Sequence, residues 1–187
     1  VVLAPESVRS LQSLAALRYA HGDFAGAEEA QRQAIALNPH DPESLAQLGW
    51  RLMARGRWDE GGELMQEAIA RSLAAPTWYY ENLTYARYLA GDLTQARAAA
   101  TLASPNCCGF GHIVLALTEA ALGETEAAQR ELAAAIRDAP LLERDPVAFW
   151  ARFQAAPEVI ERLNAGLAKA GLKIPPPPEA AARAAPS

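Results

Sequence analysis

Apolar residues along much of the chain recur at steps of three and four, the spacing that places side chains on one face of an α-helix. The pattern is most regular ahead of Gly22 and Gly56, where it comprises Leu11, Leu14, Leu17, Leu45, Leu48 and Leu52. A glycine after an amphipathic segment is typical of a helix end, because it adopts the left-handed conformation without steric cost. The pattern therefore predicts a succession of amphipathic helices, each with one face that needs a partner.

The pattern also repeats along the chain. The stretch GDFAGAEEAQRQAIALNPHDP, residues 22–42, is echoed 34 residues later by GRWDEGGELMQEAIARSLAAP. The glycine recurs at spacings of 34, 35 and 32 residues, at Gly22, Gly56, Gly91 and Gly123. A small residue follows five positions after each of them, at Ala27, Gly61, Ala96 and Ala128. Units of this size are helix–turn–helix pairs that bury their apolar faces only by stacking.

Capping residues mark several predicted helix starts. Asp23 and Asp92 directly follow repeat glycines, where an aspartate accepts hydrogen bonds from the first free backbone N–H groups of a helix. Asp41-Pro42 and Asp145-Pro146 combine a cap with a proline at the first helical position. These residues predict short turns and antiparallel helix pairs.

Charge and composition argue against two classes of function, nucleic-acid binding and insertion into a membrane. The 187 residues are 51% hydrophobic and carry a formal net charge of −5, with lysine only at 169 and 173. A nucleic-acid surface needs clustered positive charge, so we expect no nucleic-acid binding. Residues 98–118 lack Asp, Glu, Lys and Arg, but Pro105 and Gly109 would break a spanning helix, so we expect no membrane segment. The two cysteines are adjacent and unsuited to a structural disulfide, which favours a reducing, cytoplasmic location.

No catalytic motif is present, and we predict that the chain is not an enzyme and carries no cofactor. Cys107, Cys108 and His112 are three candidate metal ligands within one turn region. No second pair of cysteines follows at zinc-finger spacing, so we interpret the region as an inter-helix turn and predict no metal site.

These features resemble the tetratricopeptide repeats (TPRs). Leu48-Gly49 stands where that family has a Leu-Gly pair, and Pro39 and Pro140 match its closing proline. The resemblance implies an all-α fold, a right-handed superhelix of antiparallel helix pairs. Its units would span residues 8–41, 42–75, 76–108 and 109–140, after a lead-in at residues 1–7.

The region after the repeats predicts two further helices, at 145–154 and 157–170, with Gly171 ending the second. We expect residues 141–172 to cap the exposed apolar face of the last repeat, and residues 173–187, rich in proline and alanine, to form a flexible tail. An alternative stays open, in which the C-terminal helices fold into the groove and bury residues 110–117.

A narrower resemblance concerns the third and fourth units and the C-terminal region. The run WYY after Pro76 and the later run GFGH are similar to the C-terminal repeats of multidomain bacterial signalling proteins, where repeats follow a class III nucleotide cyclase or a winged-helix domain. The chain begins with Val rather than Met, which indicates a piece of a longer protein. The resemblance implies a regulatory role.

In TPR proteins the first helix of each unit lines a concave groove. The matching positions here are Arg9, Gln12, Tyr19, Glu43, Gln47, Trp50, Met53, Glu81, Asn82, Tyr85 and Tyr88. The clamp that some of these proteins use for a terminal carboxylate needs Lys and Asn, whereas this chain has Gln12, Ala16, Ala46 and Trp50 there. The resemblance thus implies a non-enzymatic module that binds a peptide or a partner domain in a groove of aromatic and amide groups.

Two alternatives to this function stay open. The array could be a scaffold that dimerises or holds other domains of its own chain in place. It could also be a small-ligand sensor, with a pocket near Tyr85, His112 and the cysteines.

Overall fold

The computed structural model describes residues 7–103 and 109–175, which hold eleven α-helices and no β-strand. The helices are α1 (Val8–Ala20), α2 (Phe24–Leu37), α3 (Pro42–Ala54), α4 (Trp58–Arg71), α5 (Thr77–Ala90), α6 (Leu93–Ala103), α7 (Phe110–Ala121), α8 (Thr125–Asp138), α9 (Leu141–Arg144), α10 (Pro146–Ala151) and α11 (Pro157–Lys169). The predicted all-α fold is confirmed.

The first eight helices form four consecutive pairs, and α3 and α4 show how a pair closes. A Cβ built on Gly49 would lie 2.8 Å from the carbonyl oxygen of Gly61, and one built on Gly61 would lie 2.5 Å from the carbonyl oxygen of Gly49. Neither position tolerates a side chain, so the two glycines let the antiparallel backbones touch. We propose, as the sequence predicts, that each pair is one repeat unit.

The turns within the pairs follow the predicted chemistry. Gly22, Gly56, Gly91 and Gly123 all have φ between +82° and +88°, which confirms the left-handed conformation expected at these helix ends. Asp23 then accepts a hydrogen bond of 2.9 Å from the Gly26 N–H. Tight turns of this kind hold the two helices of a pair antiparallel.

Neighbouring pairs stack through small residues. A Cβ on Gly62 of α4 would lie 2.9 Å from the Cβ of Ala86 on α5, so these helices also approach closely. Ala30, Ala68 and Ala96 are fully buried between helices. Stacking of this kind covers the apolar face that each pair leaves open.

The C-terminal region does not simply cap the last pair. The residues that join α10 to α11 run back across the ends of α1 and α3, where Tyr19 donates a hydrogen bond of 3.1 Å to the carbonyl oxygen of Phe153. The Ala156 N–H donates one of 2.7 Å to the carbonyl oxygen of Ala54. Helix α11 then packs against α7, and Arg162 donates to the carbonyl oxygen of Leu89 at the end of α5. We call residues 146–169 the returning segment.

The returning segment therefore lies on the side formed by α1, α3, α5 and α7, as in the alternative left open by the sequence. Ile113, Val114 and Leu117 of α7 are at most 1% exposed. Helix α10 ends at Ala151, three residues earlier than predicted, and the four-residue helix α9 was not predicted. A segment this short carries no helical periodicity, so the sequence does not indicate it.

Three predictions lie wholly or mostly outside the described residues: the lead-in at 1–7, the cysteine pair at 107–108 and the tail at 173–187. Within residues 7–103 and 109–175, none of the helices combines the length and hydropathy that crossing a bilayer requires.

Candidate functional site

Helix α3 supplies the first wall of the site. Gln47, Trp50 and Met53 lie three residues apart on one face of it. The Trp50 indole N–H donates a hydrogen bond of 2.8 Å to the side-chain oxygen of Gln47. Its ring also meets Tyr19 edge to face, with centroids 5.1 Å apart. These contacts hold the indole in one orientation on the helix surface.

Helix α5 supplies the second wall. Trp78, Glu81 and Tyr85 lie on one of its faces, with Asn82 beside them. The Asn82 side-chain amide donates a hydrogen bond of 2.9 Å to the carbonyl oxygen of Trp78, one turn earlier. The rings of Trp78 and Tyr79 meet edge to face with centroids 4.4 Å apart, and this contact helps to fix the orientation of the Trp78 ring.

The returning segment supplies the third wall, chiefly through Trp150 and Phe153. The buried Trp150 indole N–H donates a hydrogen bond of 2.9 Å to the side-chain oxygen of Asn164. Its ring lies edge-on to Tyr85, with centroids 5.9 Å apart. Phe153 meets Phe110 of α7 at 5.4 Å, also edge to face. The aromatic rings thus join the segment to two helices of the array.

These three walls enclose one pocket of about 370 Å³. It is lined by Gln47, Trp50, Met53, Ala54, Trp78, Glu81, Asn82, Tyr85, Leu89, Phe110, Trp150, Phe153, Ala155, Val159 and Leu163. Gln47, Trp50, Trp78 and Asn82 are only half-buried and give the pocket its contact with solvent. A mainly apolar pocket of this size with a few polar groups is typical of a binding site.

The polar chemistry of the pocket is concentrated on Glu81, the only acid among its described lining residues, which include no lysine, arginine or histidine. Glu81 is 5% exposed, and its Oε1 accepts no hydrogen bond from any described residue. Burial raises the pKa of Glu81 from 4.5 to about 7. The Tyr85 hydroxyl is likewise buried without a partner in the described part of the chain. Burial, and then the charge of Glu81, hold the pKa of Tyr85 well above its usual value.

Six of the eleven groove residues predicted from the sequence come together in this pocket: Gln47, Trp50, Met53, Glu81, Asn82 and Tyr85. They come from α3 and α5, the first helices of two successive pairs. The pocket therefore occupies the middle of the predicted groove.

The other five predicted residues lie outside the pocket. Arg9 is exposed on the first turn of α1, and Gln12 donates hydrogen bonds to Asp41 and Ser44, where α3 begins. Tyr19 is buried and donates to the returning segment.

Glu43 and Tyr88 complete these five. Glu43 accepts hydrogen bonds from Gln47 at 2.7 Å and from the Tyr79 hydroxyl at 3.0 Å, so its carboxylate joins α3 to α5. Tyr88 is covered by α11, where Gly166 leaves room for its hydroxyl.

The sequence does not predict the lining residues that the returning segment contributes, which are Trp150, Phe153, Ala155, Val159 and Leu163. The spacing of Val159 and Leu163 indicates an apolar helix face, but not which surface that face covers. The sensor alternative also placed His112 beside Tyr85. His112 instead lies on the pair α7–α8, with its Nδ1 2.6 Å from a carboxylate oxygen of Glu131.

Comparison with solved structures places this fold. A crystal structure of MamA protein aligns with a TM-score of 0.63 at 18% identity, covering 93% of this chain and 100% of that one. Another crystal structure of MamA gives 0.60 at 19% identity, covering 84% and 92%. TTC0263, a thermophilic TPR protein in Thermus thermophilus, gives 0.61 at 24% identity, covering 87% and 89%. No protein-family model and no curated protein sequence matches the chain. The chain thus has the TPR-type solenoid fold.

Proposed function

We propose that this chain is a non-catalytic protein-interaction module that binds a short segment of a partner protein in the pocket between α3, α5 and the returning segment. The observation that carries the proposal is the convergence of six predicted groove residues in one pocket. Trp50 and Trp78 are half-buried and offer large contact areas at a low entropic cost, as binding sites for peptides do.

The returning segment limits the length of the partner segment that can bind in the groove. It covers the side of α5 and α7 on which an extended peptide would lie in an open groove, and Arg162 and Tyr88 are used in holding it. A pocket of about 370 Å³ accommodates a few side chains rather than a long peptide. The partner therefore contributes a short segment with apolar anchors.

A regulatory role within a bacterial signalling protein follows from the resemblance of the third and fourth units, and it is part of the proposal. Glu81 is the only carboxyl group among the described lining residues, so a pair of carboxyl groups for general acid–base catalysis is lacking there. The cytoplasmic location and the lack of nucleic-acid binding stay predictions from composition.

Selection from a random peptide library displayed on phage tests this function. Peptides are selected on the wild-type chain, and their affinity is then measured for Trp50→Ala and for Leu37→Ala, a control that is 55% exposed on α2. We expect Trp50→Ala to weaken binding by about tenfold or more, as loss of a central aromatic anchor does, with helicity in far-UV circular dichroism unchanged. Failure to select any peptide, or equal affinities for all three proteins, would contradict the proposal.

A second candidate, the scaffold that holds parts of its own chain, is favoured by the returning segment itself. The backbone of the segment makes hydrogen bonds at the ends of α1 and α3. The carbonyl oxygens of Phe153 and Gln154 accept from the side chains of Tyr19 and Arg55, and the Ala156 N–H donates to the Ala54 carbonyl oxygen. Light scattering at high concentration separates the two versions of this candidate. A monomer removes the homodimer and leaves only the intramolecular scaffold.

A further inference from the structure

The polar side chains that line the pocket differ in whether they already have hydrogen-bond partners within the described chain. Gln47 donates to Glu43 and accepts from Trp50, and Asn82 donates to the backbone of its own helix. Glu81 and Tyr85 have no such hydrogen bonds to described residues. A buried carboxylate and hydroxyl without partners are costly, so a ligand that donates hydrogen bonds to them gains more than it would at a solvated site.

The charge and the rings of the pocket favour the same kind of ligand. Its described wall bears one potential negative charge and no positive one. Trp50, Trp78 and Trp150 line the same pocket from three different structural elements. Indole rings attract cations, and they do so most strongly where water is excluded.

We infer that the pocket holds a protonated amine on an apolar chain, and that this is a lysine side chain in the partner segment. The inference rests on the proposed function. The lysine ammonium is a compact charge that donates to Glu81 and Tyr85, while its four-carbon stem packs against the indoles. The planar guanidinium of arginine instead favours two parallel hydrogen bonds to one carboxylate.

The free amine provides a test that needs no peptide. The full chain, labelled with ¹⁵N, is titrated with n-butylammonium, which reproduces the end of a lysine side chain, and separately with the neutral 1-butanol. The four tryptophans give four indole N–H signals. Trp50, Trp78 and Trp150 line the pocket, and Trp58 does not, so the Trp58 signal is an internal control.

We expect n-butylammonium to shift the three pocket signals at roughly millimolar concentration, with 1-butanol at least about tenfold weaker and Trp58 unchanged. Glu81→Gln should abolish this preference for the cation. The variant keeps the shape of the side chain, and a thermal melt shows whether it is folded. No shift with n-butylammonium, or equal binding of the alcohol, would overturn the inference.

The peptide arm separates this inference from the proposed function. In a peptide selected on the wild-type chain, replacing the lysine by norleucine should weaken binding by about 10- to 100-fold. If peptides bind and this replacement changes nothing, the proposed function stands and the lysine assignment is wrong. If n-butylammonium binds in a Glu81-dependent way but no peptide is selected, the proposed function fails, and with it the assignment of the amine to a partner's lysine.

Discussion

The two ends of the helical array are held by different chemistry. At the N-terminal end, side-chain hydrogen bonds join α1 and α2 to α3, in addition to the contact between the Tyr19 and Trp50 rings. Gln12 donates to Asp41 and Ser44, and the buried Gln31 donates to the carbonyl oxygen of Ser44 and accepts from Arg51. Networks of this kind specify one arrangement of the helices, but each bond adds only about 1 kcal/mol net.

At the C-terminal end, the returning segment is held by apolar and aromatic burial. The largest cluster of buried apolar residues joins α5, α7 and α8 to α9, α10 and α11. The rings of Phe149 and Trp150, with centroids 4.8 Å apart, belong to this cluster together with Leu163 and Leu167. Because burial of apolar surface is the main stabilising term in folding, this end should be the last part of the molecule to open.

The contrast between the two ends shows that residues of the pocket also contribute to the stability of the fold. The pocket lies beside the strongly packed end, so its aromatic walls are also part of the core. Four variants test this contrast, beginning with the most destabilising.

Trp150→Ala should have the largest effect on stability. It removes a side chain that is 4% exposed and leaves Asn164 without its donor, so we expect a loss of about 3–5 kcal/mol in the free energy of unfolding. Urea denaturation followed by circular dichroism measures this loss. Val147→Ala, on the same helix but 51% exposed, should change the midpoint little. Similar losses for both variants would show that the returning segment is not packed as described.

Glu81→Gln should make stability less dependent on pH. The pKa of Glu81 is about 7 in the folded chain, against an ordinary value of 4.5, so the folded state holds the proton more tightly. Its contribution to stability is complete below pH 4.5 and is lost as the pH rises through 7. Each pH unit between 4.5 and 7 lowers the free energy of unfolding by about 1.4 kcal/mol, so the total loss of stability is about 3 kcal/mol.

Urea denaturation of wild type and Glu81→Gln at about pH 4.5 and about pH 8 tests this sign. The free energy of unfolding of the wild type should fall relative to that of the variant as the pH rises. Glu63→Gln, on the exposed side of α4, corrects for the loss of one negative charge. A difference that is constant with pH, or that changes in the opposite direction, would contradict the described burial of Glu81.

Gln31→Ala tests the polar end of the molecule. It removes the hydrogen-bond acceptor of the buried Arg51 guanidinium and one of the donors to the Ser44 carbonyl oxygen, so we expect a loss of about 2 kcal/mol. Gln33→Ala, two residues later and exposed, is the control. Amide hydrogen exchange should show that the loss is concentrated in α1 and α2. A loss spread evenly over α5–α11 would contradict the contrast between the two ends.

Arg32→Ala should have the smallest effect. Arg32 bridges Glu28 and Glu60 at 2.7 Å on the exposed surface of α2 and α4. Exposed ion pairs contribute little, so we expect a loss below about 1 kcal/mol that disappears at high salt. A larger loss that high salt does not remove would show that Arg32 contributes more than an exposed ion pair, and would contradict this ranking.

The sequence predicts the repeated part of this molecule well because each unit contains its own signals. The glycine at each turn, the aspartate after two of these glycines and the small residues where helices cross act over a few residues or within one pair. The path of the returning segment depends on contacts between distant parts of the chain, such as Tyr19 with Phe153. The apolar faces of α10 and α11 are visible in the sequence, but the surface that they cover is not.

The candidate site also has one part that the sequence predicts and another part that it does not. The positions of Trp50, Glu81 and Tyr85 follow from the repeat register, so the sequence places them on the groove side. The pocket that Glu81 lines is completed by Trp150 and Phe153, which reach it from about 70 residues further along the chain. The raised pKa of Glu81, which burial causes, is not visible in the sequence.

The candidate site exists only if the returning segment and the first helices of the repeats enclose one pocket. Nuclear Overhauser effects between the ring protons of Tyr85 and Trp150 test this arrangement most directly, because the two ring centroids are 5.9 Å apart. We predict strong cross-peaks between these rings, together with slow hydrogen exchange of the Ala156 amide, which donates to Ala54. An absence of these cross-peaks, with rapid exchange at Ala156 in a folded chain, would contradict the arrangement.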